Sequence, residues 1–347
     1  MAAFTSTNPA ERIGKFKGEI LAHAMPIETL GICGVQKYIP RNNSKTVSMR
    51  RYRPYGALAT NENTKNRWVV DSAAHILSEG NTPTADSLVP DNVEVTLQQY
   101  GCLYQTTDQV EDTYEDEIPE ELKKQTGERV GLIREMVRYG VVKAGTNVFY
   151  SGGTSRGTVD EKITLNVLRK ASRTLQLNHA KRVTGILAPS INIATQPVEA
   201  AYLIFCSTDA EADIRELTGF KHISEYGQRK VVDPNEIGSV ENYRFITSPE
   251  LTAYADSGAA VGSTGCLSTT GTLIDVYPFV ICGEDAWGQV ALRGDKATDP
   301  TWIPPGEKSK SDPLGQRGFC GAKFYFACKV LNEGWMAVIE AGVDDLA

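Results

Sequence analysis

The sequence lacks a long apolar segment. No run of about 18 apolar residues occurs among its 347 residues, so we expect no helix that crosses a membrane and no membrane partner. The first twenty residues, MAAFTSTNPAERIGKFKGEI, also lack the apolar region of a secretory signal. We therefore expect the chain to fold in the cytoplasm.

Metal-ligand patterns are absent as well. The seven cysteines form no CxxC pair, and only four histidines accompany them, so neither a metal site nor a cofactor is predicted. Unpatterned cysteines in a cytoplasmic chain are typical of reduced, mostly buried thiols. They are Cys33, Cys102, Cys206, Cys266, Cys282, Cys320 and Cys328.

The chain has no excess of basic residues. Its 36 Lys and Arg against 43 Asp and Glu give a formal charge of −7. Proteins whose main task is to grip nucleic acid carry a basic face, so this class is disfavoured. A mildly acidic chain is compatible with a container that encloses DNA without sequence-specific binding.

No catalytic motif is complete. The loop 151–158 (SGGTSRGT) lacks the lysine of a phosphate-binding loop and follows a helix rather than a strand, so we interpret it as a surface loop. The segment 262–266 (GSTGC) is not a nucleophile elbow. The histidines are isolated along the chain. No catalytic residues are predicted, and the chain is not expected to be an enzyme.

An extended excursion is predicted between two β-rich stretches. The first starts at Lys45 (KTVSMRRYRPYGALA), and the second, 93–107 (VEVTLQQYGCLYQTT), alternates so that Val93, Val95, Leu97 and Gln99 share one face. Polar turns lie between them. A two-stranded excursion is marginal alone and needs a partner surface. The weakly patterned residues 1–43 are expected to form an arm that is ordered by contact.

The strongest helix signal covers residues 119–144. Pro119, Glu120 and Glu121 suit a helix N-terminus, apolar residues follow at three- and four-residue spacings, and Gly145 ends the pattern. Such a helix is roughly 39 Å long. Further helices are predicted at 164–177 and 209–217. Strands are predicted at 183–188, 201–206, 243–247, 272–282, 289–293, 323–331 and 335–340, so the class is α+β.

The chain carries two blocks of opposite charge, a basic one at the start of the first β-rich stretch and an acidic one after the second. Such blocks suit contacts between neighbouring copies, where complementary charge sets register. The acidic block lacks the order of a calcium loop. A solvated face with helix N-terminal acids, or a hydrolase using residues 108–121, are the alternatives. The candidate contact residues are Arg41, Lys45, Arg50, Arg51 and Arg53 in the basic block and Asp108, Glu111, Asp112, Glu115, Asp116 and Glu117 in the acidic block.

Several ordered segments resemble the major capsid proteins of tailed phages with the Johnson fold, also called the Hong Kong phage capsid fold. Together they span roughly residues 80 to 340 in the family's order. The matching segments are 82–83 (TP), 95–101 (VTLQQYG), 107–108 (TD), 143–150 (KAGTNVFY), 213–220 (DIRELTGF), 225–226 (EY), 235–245 (NEIGSVENYRF), 277–278 (YP), 285–288 (DAWG) and 312–318 (DPLGQRG).

This resemblance implies a layout and a role. It implies an N-terminal arm (1–43), an extended E-loop-like hairpin (44–106), a peripheral domain (107–189) with spine helix 119–144, an axial domain (190–270) and a return to the peripheral domain (271–347). It also implies assembly into pentamers and hexamers of an icosahedral phage head that encloses double-stranded DNA. The implied partners are further copies of the chain, a portal, a scaffold or protease, and decoration proteins, in a virion assembled in the bacterial host cytoplasm.

Two other shell or virion roles stay open from the sequence. An encapsulin-like nanocompartment has the same fold but encloses enzymes, and a tail or decoration protein would form tubes or trimers instead of closed shells.

Overall fold

The computed structural model describes residues 28–40, 42, 44–52, 57–58, 68–69, 72–80, 90–114, 117–184, 200–227, 231–262, 265–292, 299–308 and 312–346. Within these residues no helix is both long and apolar enough to cross a membrane.

The described residues contain both helices and strands, which confirms mixed α and β content. The helices are α1 (Asp108–Thr113), α2 (Ile118–Val142), α3 (Leu165–Leu177) and α4 (Glu211–Glu216). The strands are β1 (Val35–Ile39), β2 (Thr46–Tyr52), β3 (Ala57–Leu58), β4 (Trp68–Val69), β5 (Pro90–Thr96), β6 (Gln98–Thr107), β7 (Val148–Tyr150), β8 (Tyr202–Cys206), β9 (Lys221–His222), β10 (Glu236–Val240), β11 (Tyr243–Thr247), β12 (Tyr277–Cys282), β13 (Trp287–Leu292), β14 (Asp299–Ile303), β15 (Arg317–Val330) and β16 (Met336–Ala341).

Two sheets form the body of the described structure. One has seven strands in the order β7-β16-β12-β8-β11-β10-β9; the other has the order β1-β13-β15-β14, with β6 also paired to β15. Helices α3 and α4 pack on one face of the seven-stranded sheet. Its other face shares a core with α2 and the five-stranded sheet. The long helix is therefore held between the two sheets.

The predicted helices are confirmed in position. Helix α2 begins with proline in its first turn and ends two residues before the predicted boundary. Helix α3 begins after Thr164 and buries Leu168, Ala171 and Leu175. Helix α4 is shorter than predicted, because a 3-10 turn occupies Thr208–Ala210.

Several strand boundaries differ from the prediction. Of 272–282 only β12 is a strand, because Leu273 and Val276 before it form only single bridges, to Ala260 and Tyr254. Strand β15 begins six residues earlier than predicted, at Arg317, because β6 and β14 flank its first half. At the predicted strand 183–188 the structure has only a bridge from Val183 to Ala201, and 185–188 lie outside the described residues.

The predicted alternation of 93–107 is right in its first half and wrong in its second. Val95 and Leu97 are buried as expected, but Gln99 is exposed, while Cys102 and Thr106 are buried. The phase shifts by one residue because the strand breaks at Leu97. Before this break, strand β5 pairs with β2 in a two-stranded sheet. After it, strand β6 pairs with β15 in the five-stranded sheet.

The cysteines are buried as predicted, and no disulfide joins any two of the seven. The loop 151–158 lies at the surface, as predicted, because five of its eight residues are exposed. Its first residue, Ser151, is buried and donates to the carbonyl of Lys162 over 2.6 Å. A side chain at Gly153 would collide with Thr158, so glycine is required there for close chain packing.

Candidate assembly surfaces

The described residues of the basic block lie at a two-stranded ribbon formed by β2 and β5. Lys45 and Arg50 are exposed, and Arg50 Nε donates to Asn92 Oδ1 over 3.0 Å. Arg51 lies in β2 in register with Asp91. The side chain of Arg51, and Arg41 and Arg53 as a whole, lie outside the described residues. The ribbon thus presents basic side chains to solvent.

The acidic block spans α1 and the start of α2. Val110 is buried and holds α1 against the body, while Glu111, Asp112 and Glu117 are exposed. Asp108 Oδ1 accepts from its neighbour's backbone N–H. Glu115 and Asp116 lie outside the described residues. Where both blocks are described, no ion pair joins them, so contact between them in different copies stays a prediction.

The acidic block does not line a catalytic cavity. A cavity of about 270 Å³ lies between Ile32–Gly34 and β8, and no residue of the block lines it. No group of three metal-ligating side chains is found in the part of the chain described. Nothing in this geometry gathers carboxylates for hydrolysis.

Ile76 and Leu77 form an exposed apolar pair within the excursion between β2 and β5. They are 77% and 72% exposed and follow a 3-10 turn at Ser72–His75. Exposure of large apolar side chains to water is unfavourable in free energy, and contact with another protein surface would bury them. Their exposure cannot be predicted from the sequence, because two adjacent apolar residues have no periodicity.

A buried ionic cluster attaches residues 28–30, called here the N-terminal segment, to α2. Arg138 Nη1 lies 2.5 Å from Glu28 Oε2 and 3.3 Å from Glu135 Oε2, and its Nε donates to Gln289 Oε1 over 2.8 Å. Thr29 and Leu30 both donate to Glu135 Oε1 over 2.9 Å. One arginine thus joins the segment, the helix and strand β13.

Charge in this cluster is balanced by the N-terminal segment. Helix α2 contributes Arg134, Arg138 and Glu135, and Glu28 lies 3.7 Å from Arg134 as well. Glu28 therefore supplies the second carboxylate for two buried arginines. Burial raises the pKa of Glu135, although its hydrogen bonds to Leu30 and Thr29 and the Arg138 charge oppose the rise.

A second ion pair fixes the loop after β7. Arg156 Nε and Nη2 donate to the buried Glu340 carboxylate over 2.8 and 2.6 Å, and the guanidinium lies 3.6 Å from the Tyr254 ring centre. The hydrogen bond to Glu340 raises the pKa of Arg156. Neither this pair nor the Arg138 cluster can be predicted from sequence, because Arg156 is more than 100 residues from Glu340 and Arg138 is more than 100 residues from Glu28 and Gln289.

The comparisons with known proteins agree with this architecture. No family model matches the chain. A curated relative, the major capsid protein of Pseudomonas phage KPP21, is 20% identical over 268 residues, which are 72% of this chain and 67% of the relative. The capsid of Ralstonia phage GP4 superposes with a TM-score of 0.66 at 12% identity over 100% of both chains.

The chain has the fold of a phage major capsid protein. The head protein of Helicobacter pylori bacteriophage KHP40 gives a TM-score of 0.61 at 11% identity, over 99% of this chain and 98% of that one. The capsid of cyanophage P-SCSP1u gives 0.58 at 13% identity, over 95% and 92%. These findings confirm the resemblance to the phage major capsid proteins.

Proposed function

We propose that this chain is the major capsid protein of a phage, which self-assembles into pentamers and hexamers of an icosahedral head around double-stranded DNA. The observation that carries the proposal is the superposition of the whole chain on a phage capsid protein, with no unmatched domain on either side. The 20% identical major capsid protein supports the same role independently.

The proposed role is association rather than catalysis. Many modest contacts repeated by symmetry give a cooperative shell, so no cofactor, metal or catalytic residue is required. The Johnson-fold layout assigns residues 1–43 to the arm, 44–106 to the E-loop, 107–189 and 271–347 to the peripheral domain and 190–270 to the axial domain. In that layout α2 is the spine helix.

The E-loop supports a contact with a neighbouring copy. The ribbon β2–β5 carries Arg50, and the exposed pair Ile76 and Leu77 lies in the excursion between its two strands. In a single copy both apolar side chains are mostly exposed. An adjacent subunit in a capsomer would cover them, and the basic and acidic blocks would set its register.

Electron microscopy of the purified, overexpressed chain tests the proposal. Closed uniform shells are the expected result; tubes, trimers or monomers contradict it. Shells that hold an enzyme rather than DNA in the native host would identify an encapsulin-like compartment. Portal, scaffold or protease, and decoration proteins are further proposed partners, and they would co-purify with heads from infected cells.

A further inference from the structure

In the described part of the chain, strand β6 is an open edge of the five-stranded sheet. It pairs with β15 over ten consecutive positions, from Gln98 opposite Phe326 to Thr107 opposite Arg317, without a bulge. Its other edge pairs with no strand in the described part of the chain. An edge of this length presents a row of backbone groups that can hydrogen-bond another strand.

The other edges of the two large sheets each carry a feature that discourages pairing. Strand β14 contains Asp299 and Pro300, and β1 contains Lys37. Strands β7 and β9 have three residues and two residues. Short length, charge and proline are the usual means of blocking an edge. Strand β6, with the sequence QQYGCLYQTT, has no charged residue and no proline.

Leu103, near the middle of β6, is an exposed apolar side chain at this edge. It is 57% exposed and lies opposite Gly321 of β15. A Cβ at Gly321 would lie 2.9 Å from Leu103 Cδ1, so the leucine occupies space that only glycine leaves free. A strand added at the edge would place its own side chains beside this leucine on the same face of the sheet.

We propose that β6 pairs in antiparallel register with β6 of a second copy, about a two-fold axis at Leu103. A strand that runs antiparallel to its own copy has two-fold symmetry, so a single surface serves both partners. Because β6 is uncharged, self-pairing places no like charges opposite each other. The five-stranded sheets of two copies then form one continuous sheet, and this two-fold contact between subunits rests on the proposed shell function.

Cysteine cross-linking in assembled particles tests the register. In this pairing the Leu103 positions of two copies face each other at a Cα separation of roughly 4.5–5.5 Å, which a disulfide spans. Gln105 faces Gly101 of the partner subunit, so two Gln105 positions lie roughly 13 Å apart. Mild oxidation should therefore link L103C into dimers and leave Q105C monomeric, with the native cysteines buried in both variants.

Edge lysines provide a second measurement. L103K should lower the yield of particles by about tenfold, because two lysines would face each other across the axis. The control Y325K places a lysine on the same sheet in the central strand β15, where Tyr325 is 37% exposed, and should change the yield by less than about twofold. Circular dichroism of the subunits verifies folding.

The possible outcomes separate this inference from the proposed function. Equal cross-linking of L103C and Q105C, or a link from position 103 to a different segment such as β2, overturns the two-fold pairing. Shells without any link at 103 also overturn it and leave the capsid role intact. If L103C forms linked dimers but the wild-type chain forms no shells, the pairing is supported and the capsid role is contradicted.

Discussion

Arg138 joins α2 to both the N-terminal segment and the five-stranded sheet. Its side chain is 1% exposed, and it binds carboxylates from two segments and stacks within 5.2 Å of the Phe326 ring centre. A buried charge is tolerated only when its partners remain in place. The cluster therefore couples the position of the N-terminal segment to the packing of α2 against the five-stranded sheet.

Removal of this charge should destabilise the subunit strongly. We expect R138M to lower the free energy of unfolding by about 3–5 kcal/mol, because the Glu135 carboxylate is left buried without its cation. Urea denaturation of the subunit measures the change. A second variant, R138M with E135M, should recover part of the loss, because no buried charge then remains unpaired.

The exposed pair between Arg215 and Glu211 offers a matched control for that prediction. Arg215 is 53% exposed, so R215M should leave the unfolding free energy nearly unchanged. Equal effects of R138M and R215M would contradict the importance assigned to the buried cluster.

Glu135 should also give stability a characteristic pH dependence. Because burial raises its pKa in the folded state, the native protein binds more protons than the unfolded chain between the ordinary glutamate pKa and the raised one. The contribution of Glu135 is therefore fully present below the ordinary value. It is lost as pH rises through the raised value.

A comparison of stability against pH for wild type and E135Q measures this contribution. The difference between them should shift against wild type as pH rises through that window, whereas E120Q, at an exposed position of the same helix, should follow wild type. A constant difference between wild type and E135Q across the window would refute the assigned pKa direction.

At the scale of elements, local patterns predicted what local forces determine. Helix α2 was predicted within two residues because Pro119, the N-terminal acids and the apolar spacing all act within a few turns. The phase shift at Leu97 could not be predicted. It depends on β5 and β6 pairing with different strands, and β15 is more than 200 residues away.

The candidate contact residues show the same division. Arg50, Glu111 and Asp112 are exposed, but their contact with a neighbouring copy stays a prediction. The edge at β6 and the pair Ile76 and Leu77 were not identified from sequence. An open edge is defined only by the strands that flank it, and the exposure of an apolar pair depends on what the rest of the chain covers.

Charge reversal on the ribbon tests the basic block as one element. R50E, R51E and R53E combined should reduce particle yield several-fold at low salt while the subunit stays folded, because complementary charge guides the encounter of copies. The wild-type yield should itself fall as salt rises through about 0.15 M, since salt screens exposed pairs.

The matched control changes three other exposed basic positions to glutamate. Lys170, Arg173 and Lys181 are exposed outside the ribbon, so the same change in net charge there separates a local effect from a global one. A wild-type yield that is independent of salt, or equal losses in both triple variants, would contradict the assigned role of the ribbon.

At the scale of the whole molecule, two exposed surfaces are unfavourable in a single copy and would be favourable in the proposed assembly of many copies. A single soluble chain gains nothing from an exposed apolar pair on an extended excursion or from an uncharged ten-residue edge. In the proposed closed shell each copy would bury these features against a neighbour. The exposed features therefore support the same proposal as the fold comparison.

The apolar pair gives the sharpest test at this scale. I76S with L77S should change the unfolding free energy of the subunit by less than about 0.5 kcal/mol, because neither side chain is buried in one copy. If a neighbour covers them, each loses about 1–2 kcal/mol of contact per copy, and the concentration needed for assembly should rise by about tenfold or more. Light scattering against subunit concentration measures this threshold.

The control is serine at Leu314, which is also 72% exposed but lies outside the excursion between β2 and β5. An equal rise in the assembly concentration for L314S would show that the effect does not depend on the excursion.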